Sequence, residues 1–116
     1  MAFTVEGSRT DRAVILAIAG RVDAESASEF ELVCRQWLLP DDRNLILDFS
    51  GLQYITSAGL SSILSAGKEV DRRGGRLLIC GLSGRIKPVF VFTGFDSLFP
   101  LFETRNAALA DCAEKK

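Results

Sequence analysis

Runs of apolar residues alternate along this chain with segments in which apolar residues recur every three or four positions. Long apolar runs lie at residues 13–22, 44–49 and 76–80. Such runs are typical of strands that are buried on both faces of a sheet. Two shorter segments, at residues 3–7 and 101–103, have the length and pattern of outer strands. The apolar pattern therefore predicts five strands.

Helical spacing marks the segments between these strands. In residues 23–39 the apolar positions form one stripe, which Pro40 ends. Ser26 and Glu29 have the spacing of a capping box at the start of this helix. The same reasoning predicts three further helices, at residues 57–73, 85–93 and 106–113.

The predicted elements follow one another in the order β-β-α-β-α-β-α-β-α. Strands that alternate with helices indicate parallel pairing with right-handed crossovers. No linker or internal repeat divides residues 1–116. We therefore predict a single α/β domain, with a central mixed sheet of about five strands and about four helices packed against it.

Composition narrows the range of functions. The chain has 14 basic and 15 acidic residues, so it lacks the basic excess of a duplex-binding protein, and we expect no direct nucleic-acid binding. No apolar run approaches the roughly 18 residues of a membrane span, and we expect no membrane insertion. Histidine is absent, which excludes histidine triads and histidine-containing metal sites.

The three cysteines are Cys34, Cys80 and Cys112. Their odd number and wide spacing indicate reduced thiols in a cytoplasmic protein rather than a disulfide framework. Cys34 and Cys80 lie within apolar patterns, so we expect both in the core.

Candidate chemistry is concentrated at residues 47–60, where a buried strand runs through a loop into a helix. Ligand sites in α/β sheets tend to lie beyond the carboxyl ends of the strands. The start of a helix also offers unpaired N–H groups that stabilise a phosphate. Thr56 and Ser57 stand at this helix start, where a hydroxyl either caps the helix or carries a phosphate.

The sequence LDFSGLQYITSAGLSSIL, at residues 47–64, resembles the signature of the STAS domain. This domain is found in anti-sigma factor antagonists and in the cytoplasmic tails of some anion transporters. Residues 20–24 resemble the Gly-x-x-Asp turn of the family, and residues 94–102 resemble its closing segment. The resemblance covers nearly the whole chain. It implies an anti-sigma factor antagonist, a protein-binding module with no catalytic centre and no cofactor.

The resemblance also implies a switch at the start of the second long helix. In the family, an anti-sigma factor that is also a serine kinase phosphorylates a Ser or Thr there. Phosphorylation abolishes binding, and a separate phosphatase restores it. Ser57 is the first candidate for phosphorylation and Thr56 is the second. The partner-binding residues that the resemblance implies are Asp23, Thr56, Ser57, Ala58, Gly59 and Ser61.

This chain departs from one common family pattern, Asp-Ser-Ser/Thr-Gly-Leu. Thr56 stands in place of the Asp, and Ala58 stands in place of the residue that is phosphorylated in those members. Ser57 is then the nearest remaining hydroxyl, which is why it comes first among the candidates.

Three further features have more than one interpretation. Asp23 either caps the first helix or belongs to the partner interface. Asp48 either accepts hydrogen bonds from loop N–H groups around Ser50 and Ser57 or is an acid near a phosphorylation site, and Asp48 and Ser50 are predicted to support the site. The five phenylalanines within residues 90–102 either pack in the core or form an exposed patch.

Two other functions are compatible with the sequence. A STAS subunit of a membrane transport complex would dock on the cytoplasmic ATPase of the transporter. A nucleotide-binding module or weak enzyme is the third hypothesis, but no GxxxxGK[ST] or GxGxxG fingerprint is present. The oligomeric state stays open between a monomer and a weak dimer.

Overall fold

The computed structural model describes residues 2–114, apart from the side chains of residues 113 and 114. The strands are β1 (Phe3–Arg9), β2 (Val14–Val22), β3 (Leu45–Ile55), β4 (Leu77–Cys80) and β5 (Leu101–Phe102). The helices in this part of the chain are α1 (Ala27–Trp37), α2 (Ser57–Arg72), α3 (Lys87–Phe92), α4 (Phe95–Leu98) and α5 (Arg105–Glu114).

The strands form one mixed sheet in the order β1-β2-β3-β4-β5. β1 is antiparallel to β2, whereas β2, β3, β4 and β5 run parallel to one another. The parallel strands all end at the same side of the sheet, which we call the carboxyl edge. The predicted α/β fold with a five-stranded mixed sheet is confirmed.

β3 is longer than the sequence pattern predicts, because residues 50–55 form strand rather than loop. This segment contains a Ser-Gly turn signal. The end of β2 nevertheless supplies its pairing partners, since Gly20 pairs with Leu52 and Val22 pairs with Ile55. The long-range pairing outweighs the local turn preference, and β3 leads almost directly into α2.

The helices differ from the prediction in two places. α1 begins at Ala27 rather than at residue 23, because the N–H groups of Ser26 and Ala27 donate to the carbonyl of Asp23 and form a turn first. Ser26 makes no side-chain capping bond to α1, so the predicted capping box is wrong. The apolar pattern also misses α4, whose 4 residues are too few to show a helical period.

The main core lies on the face of the sheet that α1, α2, α3 and α4 cover, which we call the first face. A row of phenylalanine rings crosses it, with neighbouring ring centroids between 5.7 and 6.5 Å apart. The row consists of Phe3, Phe30, Phe49, Phe90, Phe95 and Phe99. Phe92 is instead 94% exposed, so the phenylalanines of residues 90–102 divide between core and surface.

The other face of the sheet, the second face, carries a smaller core beneath α5. Cys80 and Cys112 belong to this second core, and Cys34 belongs to the first. Burial raises the pKa of the Cys34 thiol to about 12 and that of Cys80 to about 11, so both stay protonated at neutral pH. In residues 2–114, no helix combines the length and the apolar character that crossing a bilayer requires.

The aromatic row gives a direct test of the core. Phe49 is 1% exposed and contacts the rings of Phe30 and Phe90 on either side. We expect Phe49→Ala to lower the free energy of unfolding by about 3–5 kcal/mol, through lost burial and a residual cavity. The matched control, Phe92→Ala, removes an exposed ring and should change it by less than about 0.5 kcal/mol. Urea unfolding of both variants measures the difference, and equal effects would contradict this account of the core.

Candidate protein-binding surface

The candidate surface starts at the carboxyl edge, where β3 turns into α2. Thr56 is the single residue between the two elements, and its backbone is extended, with φ −105° and ψ 176°. Its N–H donates to the carbonyl of Val22 at 3.1 Å, and its own carbonyl accepts from the N–H of Leu60 at 3.0 Å. Backbone hydrogen bonds on both sides therefore hold the turn from strand to helix.

Gly59 lets the first turn of α2 lie directly on the ends of β2 and β3. A Cβ at this position would lie 2.7 Å from Ile55 Cγ1 and 2.8 Å from the carbonyl oxygen of Val22. Both distances are shorter than ordinary van der Waals contact, and one of the two neighbours is rigid backbone. Any larger residue at Gly59 would therefore push the start of α2 away from the sheet.

The residues around this turn differ sharply in how far solvent reaches them. Ser57 is exposed, Thr56 and Ala58 are half-buried, and Gly59 is buried. Thr56 Oγ1 is shielded from solvent and has no hydrogen-bond partner within residues 2–114. It does not cap α2 either. Ser57 therefore carries the hydroxyl that another protein can reach at this helix start.

Polar residues continue from Ser57 along the exposed side of α2. Ser61 follows one turn later and is exposed, and Lys68 is exposed further along. Ser65 is tied back to α1, because its Oγ donates to Glu31 Oε2 at 2.7 Å. The freely exposed serines are thus found in the N-terminal part of α2, next to the carboxyl edge.

Asp23 lies at the same edge, directly after β2. Its Oδ1 accepts from the N–H groups of Glu25 and Ser26 at 3.1 Å each and from Ser26 Oγ at 2.9 Å, and Oδ2 accepts from Arg21 Nε at 3.0 Å. The hydrogen bond from the Ser26 side chain, followed by that from Arg21, holds the pKa of Asp23 below its ordinary value. Asp23 therefore organises the turn before α1, and its place in a partner interface stays a prediction.

Asp48 makes only part of the predicted contacts. Its Oδ1 accepts from the N–H and the hydroxyl of Ser50, as expected, but nothing joins it to Ser57 among the described residues. Alternation along β3 is the reason, since it directs Asp48 to the second face while α2 lies on the first. The partner that the sequence analysis missed is Arg105, whose Nε and Nη2 lie 3.1 and 2.9 Å from Asp48 Oδ2.

The surroundings of Asp48 favour the ionised form of its carboxyl group. Burial disfavours the ionised form, but the hydrogen bonds from Ser50 and Arg105 outweigh burial, so the pKa of Asp48 lies below its ordinary value. Arg105 stands at the start of α5, 57 residues away along the chain. No local motif indicates such a distant ion pair, which explains why sequence reasoning did not find it.

The Asp48–Arg105 pair predicts a pH-dependent loss of stability. Because folding lowers this pKa, the stabilisation is complete above the ordinary pKa of an aspartate and is lost as the pH falls through the folded-state value. We expect Asp48→Asn to lower the free energy of unfolding by roughly 1–3 kcal/mol at pH 7, and by less at pH 3, below the ordinary pKa of an aspartate. Urea unfolding at both pH values checks this, with Asp41→Asn in an exposed turn as the control. An equal cost at both pH values would contradict the ionic interpretation.

The comparisons with known proteins agree with this geometry. Residues 4–108 match the STAS domain family. BtrV of Bordetella bronchiseptica, which is named as an anti-sigma factor antagonist, is 32% identical over 102 residues, or 88% of each chain. A crystal structure of an anti-sigma factor antagonist from Mycobacterium paratuberculosis has a TM-score of 0.86 at 20% identity, covering 97% of this chain and 95% of that one.

A second solved protein has the same fold. SpoIIAA in its unphosphorylated form has a TM-score of 0.80 at 20% identity, covering 99% of both chains. Its phosphorylated form from Bacillus has a TM-score of 0.70 at 21% identity, covering 95% of this chain and 98% of that one. The structures show the shared fold, and the family match spans most of the sequence. This chain therefore belongs to the STAS domain family.

Proposed function

We propose that this STAS domain acts as an anti-sigma factor antagonist. It binds an anti-sigma factor that is also a serine kinase, and so frees the sigma factor that the kinase held. The relative in Bordetella bronchiseptica, at 32% identity over most of both chains, supports this role. The proposal includes a cytoplasmic location, in keeping with the free cysteines Cys34, Cys80 and Cys112.

One observation carries the proposal, namely the contrast between the two hydroxyls at the start of α2. Ser57 is exposed at the first helical position, whereas the hydroxyl of Thr56 is shielded and unpartnered. A kinase needs access to the oxygen that it phosphorylates. This contrast supports Ser57 as the switch residue and argues against Thr56.

The electrostatics of the helix start favour a phosphate at Ser57. The first turn of α2 contains no acidic residue, and its unpaired N–H groups and the helix dipole stabilise negative charge. The phosphate adds about −1.5 to −2 charges at pH 7. The chain can therefore hold the modification without unfolding, while a partner that approaches the same turn meets new charge and bulk.

The shape of the turn suits a protein partner. Ala58 and Ser61 are small, and Gly59 keeps α2 close to the sheet, so another backbone can approach the exposed helix start. Asp23 offers a carboxylate at the same edge, already ordered by its bonds to Ser26 and Arg21. In this proposal the chain works by reversible binding, the kinase supplies the chemistry, and a phosphatase resets the switch.

Mass spectrometry of the protein isolated from its host tests the switch residue. We expect one phosphate on the unmodified chain, none on Ser57→Ala, and one on each of two matched controls, Thr56→Val and Ser61→Ala. Thr56→Val is a clean control because it replaces an unpartnered buried hydroxyl by a methyl group, which is neutral or stabilising.

Other phosphorylation patterns would count against the proposal. A phosphate that Thr56→Val removes would assign the switch to the shielded hydroxyl. A chain that is never phosphorylated under any growth condition would favour a constitutive docking subunit, of the kind expected in a transport complex.

A further inference from the structure

β1 forms one edge of the sheet, and half of its backbone groups point away from β2. The hydrogen bonds from Arg21 N–H to the Ala2 carbonyl and from Thr10 N–H to the Ala13 carbonyl show which residues of the antiparallel pair are hydrogen-bonded to each other. Within β1, the N–H and carbonyl groups of the even-numbered residues therefore form the hydrogen bonds to β2. Phe3, Val5 and Gly7 direct their N–H and carbonyl groups outward, and among residues 2–114 β1 neighbours no strand other than β2.

An apolar groove of about 490 Å³ runs beside this free edge, between β1 and α1. Its lining consists of Phe3, Val5, Val33, Trp37 and Leu39, with Arg9 and Gln36 at the rim. Trp37 lies over Gly7, because a Cβ at Gly7 would be 2.3 Å from its ring. The guanidinium of Arg9 stacks 5.9 Å from the Trp37 ring centroid and is held there by Asp42.

A free strand edge next to an apolar groove is the arrangement that binds extended peptides. A peptide added beside β1 would complete the outward hydrogen bonds of Phe3, Val5 and Gly7, and its alternate side chains would enter the groove. The hydrogen bonds give affinity, and the groove selects apolar residues at every second position.

Charge decides which extended segment fits. Thr4, Glu6 and Ser8 lie on the solvent side of β1 and are exposed, and Glu6 has no ion pair within residues 2–114. Two copies of this chain could pair their β1 strands antiparallel about a twofold axis. In every such pairing that joins five or more residues, Glu6 of one copy lies directly or diagonally opposite Glu6 of the other. That like-charge contact disfavours self-pairing, whereas a basic residue opposite Glu6 would be attracted.

We propose that β1 and the groove beside α1 bind an extended segment of a partner protein in which apolar and basic residues alternate, added to the sheet as a further strand. The apolar residues fill the groove and a basic residue faces Glu6. This surface is separate from the helix start at Ser57, so the proposal does not depend on the anti-sigma role.

The test uses the whole chain and an acetylated eight-residue peptide of alternating valine and lysine. Amide NMR and hydrogen exchange should show binding with a Kd below about 1 mM, and slower exchange at Val5 and Gly7. Glu6→Lys should weaken binding about fivefold through charge repulsion. Val33→Ser, in the groove, should weaken it about fivefold, and Leu32→Ser, on the neighbouring exposed side of α1, should not change it.

A second peptide, N-methylated on every residue so that it has no backbone N–H to donate from either edge, should not bind. The proposal is overturned if this peptide binds equally well, if Glu6→Lys has no effect, or if the amides of β1 stay unprotected at 1 mM peptide. Sedimentation of the free chain should give a monomer under the same conditions. A dimer that Val33→Ser disrupts would assign the edge and its groove to a second copy and would also overturn the proposal.

Discussion

The contact between Gly59 and the end of β2 is the constraint on which the candidate surface depends. A Cβ at Gly59 would lie only 2.8 Å from the carbonyl oxygen of Val22, and that same oxygen accepts the N–H of Thr56. The pairing of Val22 with Ile55 ends the β2–β3 ladder at this point. One carbonyl therefore fixes the end of a strand pair, the turn that follows and the start of α2.

The rest of α2 is tied down in a way that preserves this arrangement. The buried hydroxyl of Ser62 donates to the carbonyl of Ala27 at 2.9 Å, which joins the start of α1 to the second turn of α2. Further along, Arg35 of α1 lies 3.2 Å from Glu69 of α2. Each tie joins α1 to α2 on their packed sides, so Ser57 is left facing outward on a rigid support rather than on a mobile loop.

Much of this fold follows from local sequence pattern, and the two failures closest to the candidate site have a common physical cause. The long apolar runs located the three central strands, because buried strands need continuous apolar residues, and two shorter segments located the outer strands. The pattern failed at residues 50–55, where pairing with β2 outweighs a Ser-Gly turn signal. It also failed at Asp48, whose partner Arg105 lies 57 residues away. Both failures are long-range contacts, which no local pattern records.

For the candidate site, too, the sequence predicted only part of what the structure shows. The motif placed Thr56 and Ser57 at a helix start, and the structure puts them there. Which of the two hydroxyls is accessible could not be read from the sequence, because neighbouring residues in a strand-to-helix turn point in different directions. Ser57 is exposed and the Thr56 hydroxyl is shielded because of the way in which α2 packs against the sheet.

The most direct test of the central claim is the affinity of the chain for the kinase-type anti-sigma factor of its host. Calorimetry would compare the unmodified protein with protein that carries phosphoserine at position 57 by genetic incorporation. The account predicts tight binding by the unmodified chain and a loss of about a hundredfold or more with phosphoserine, because a dianion would be buried in the interface. Equal affinity of the two forms would contradict the claim that the start of α2 is the switch.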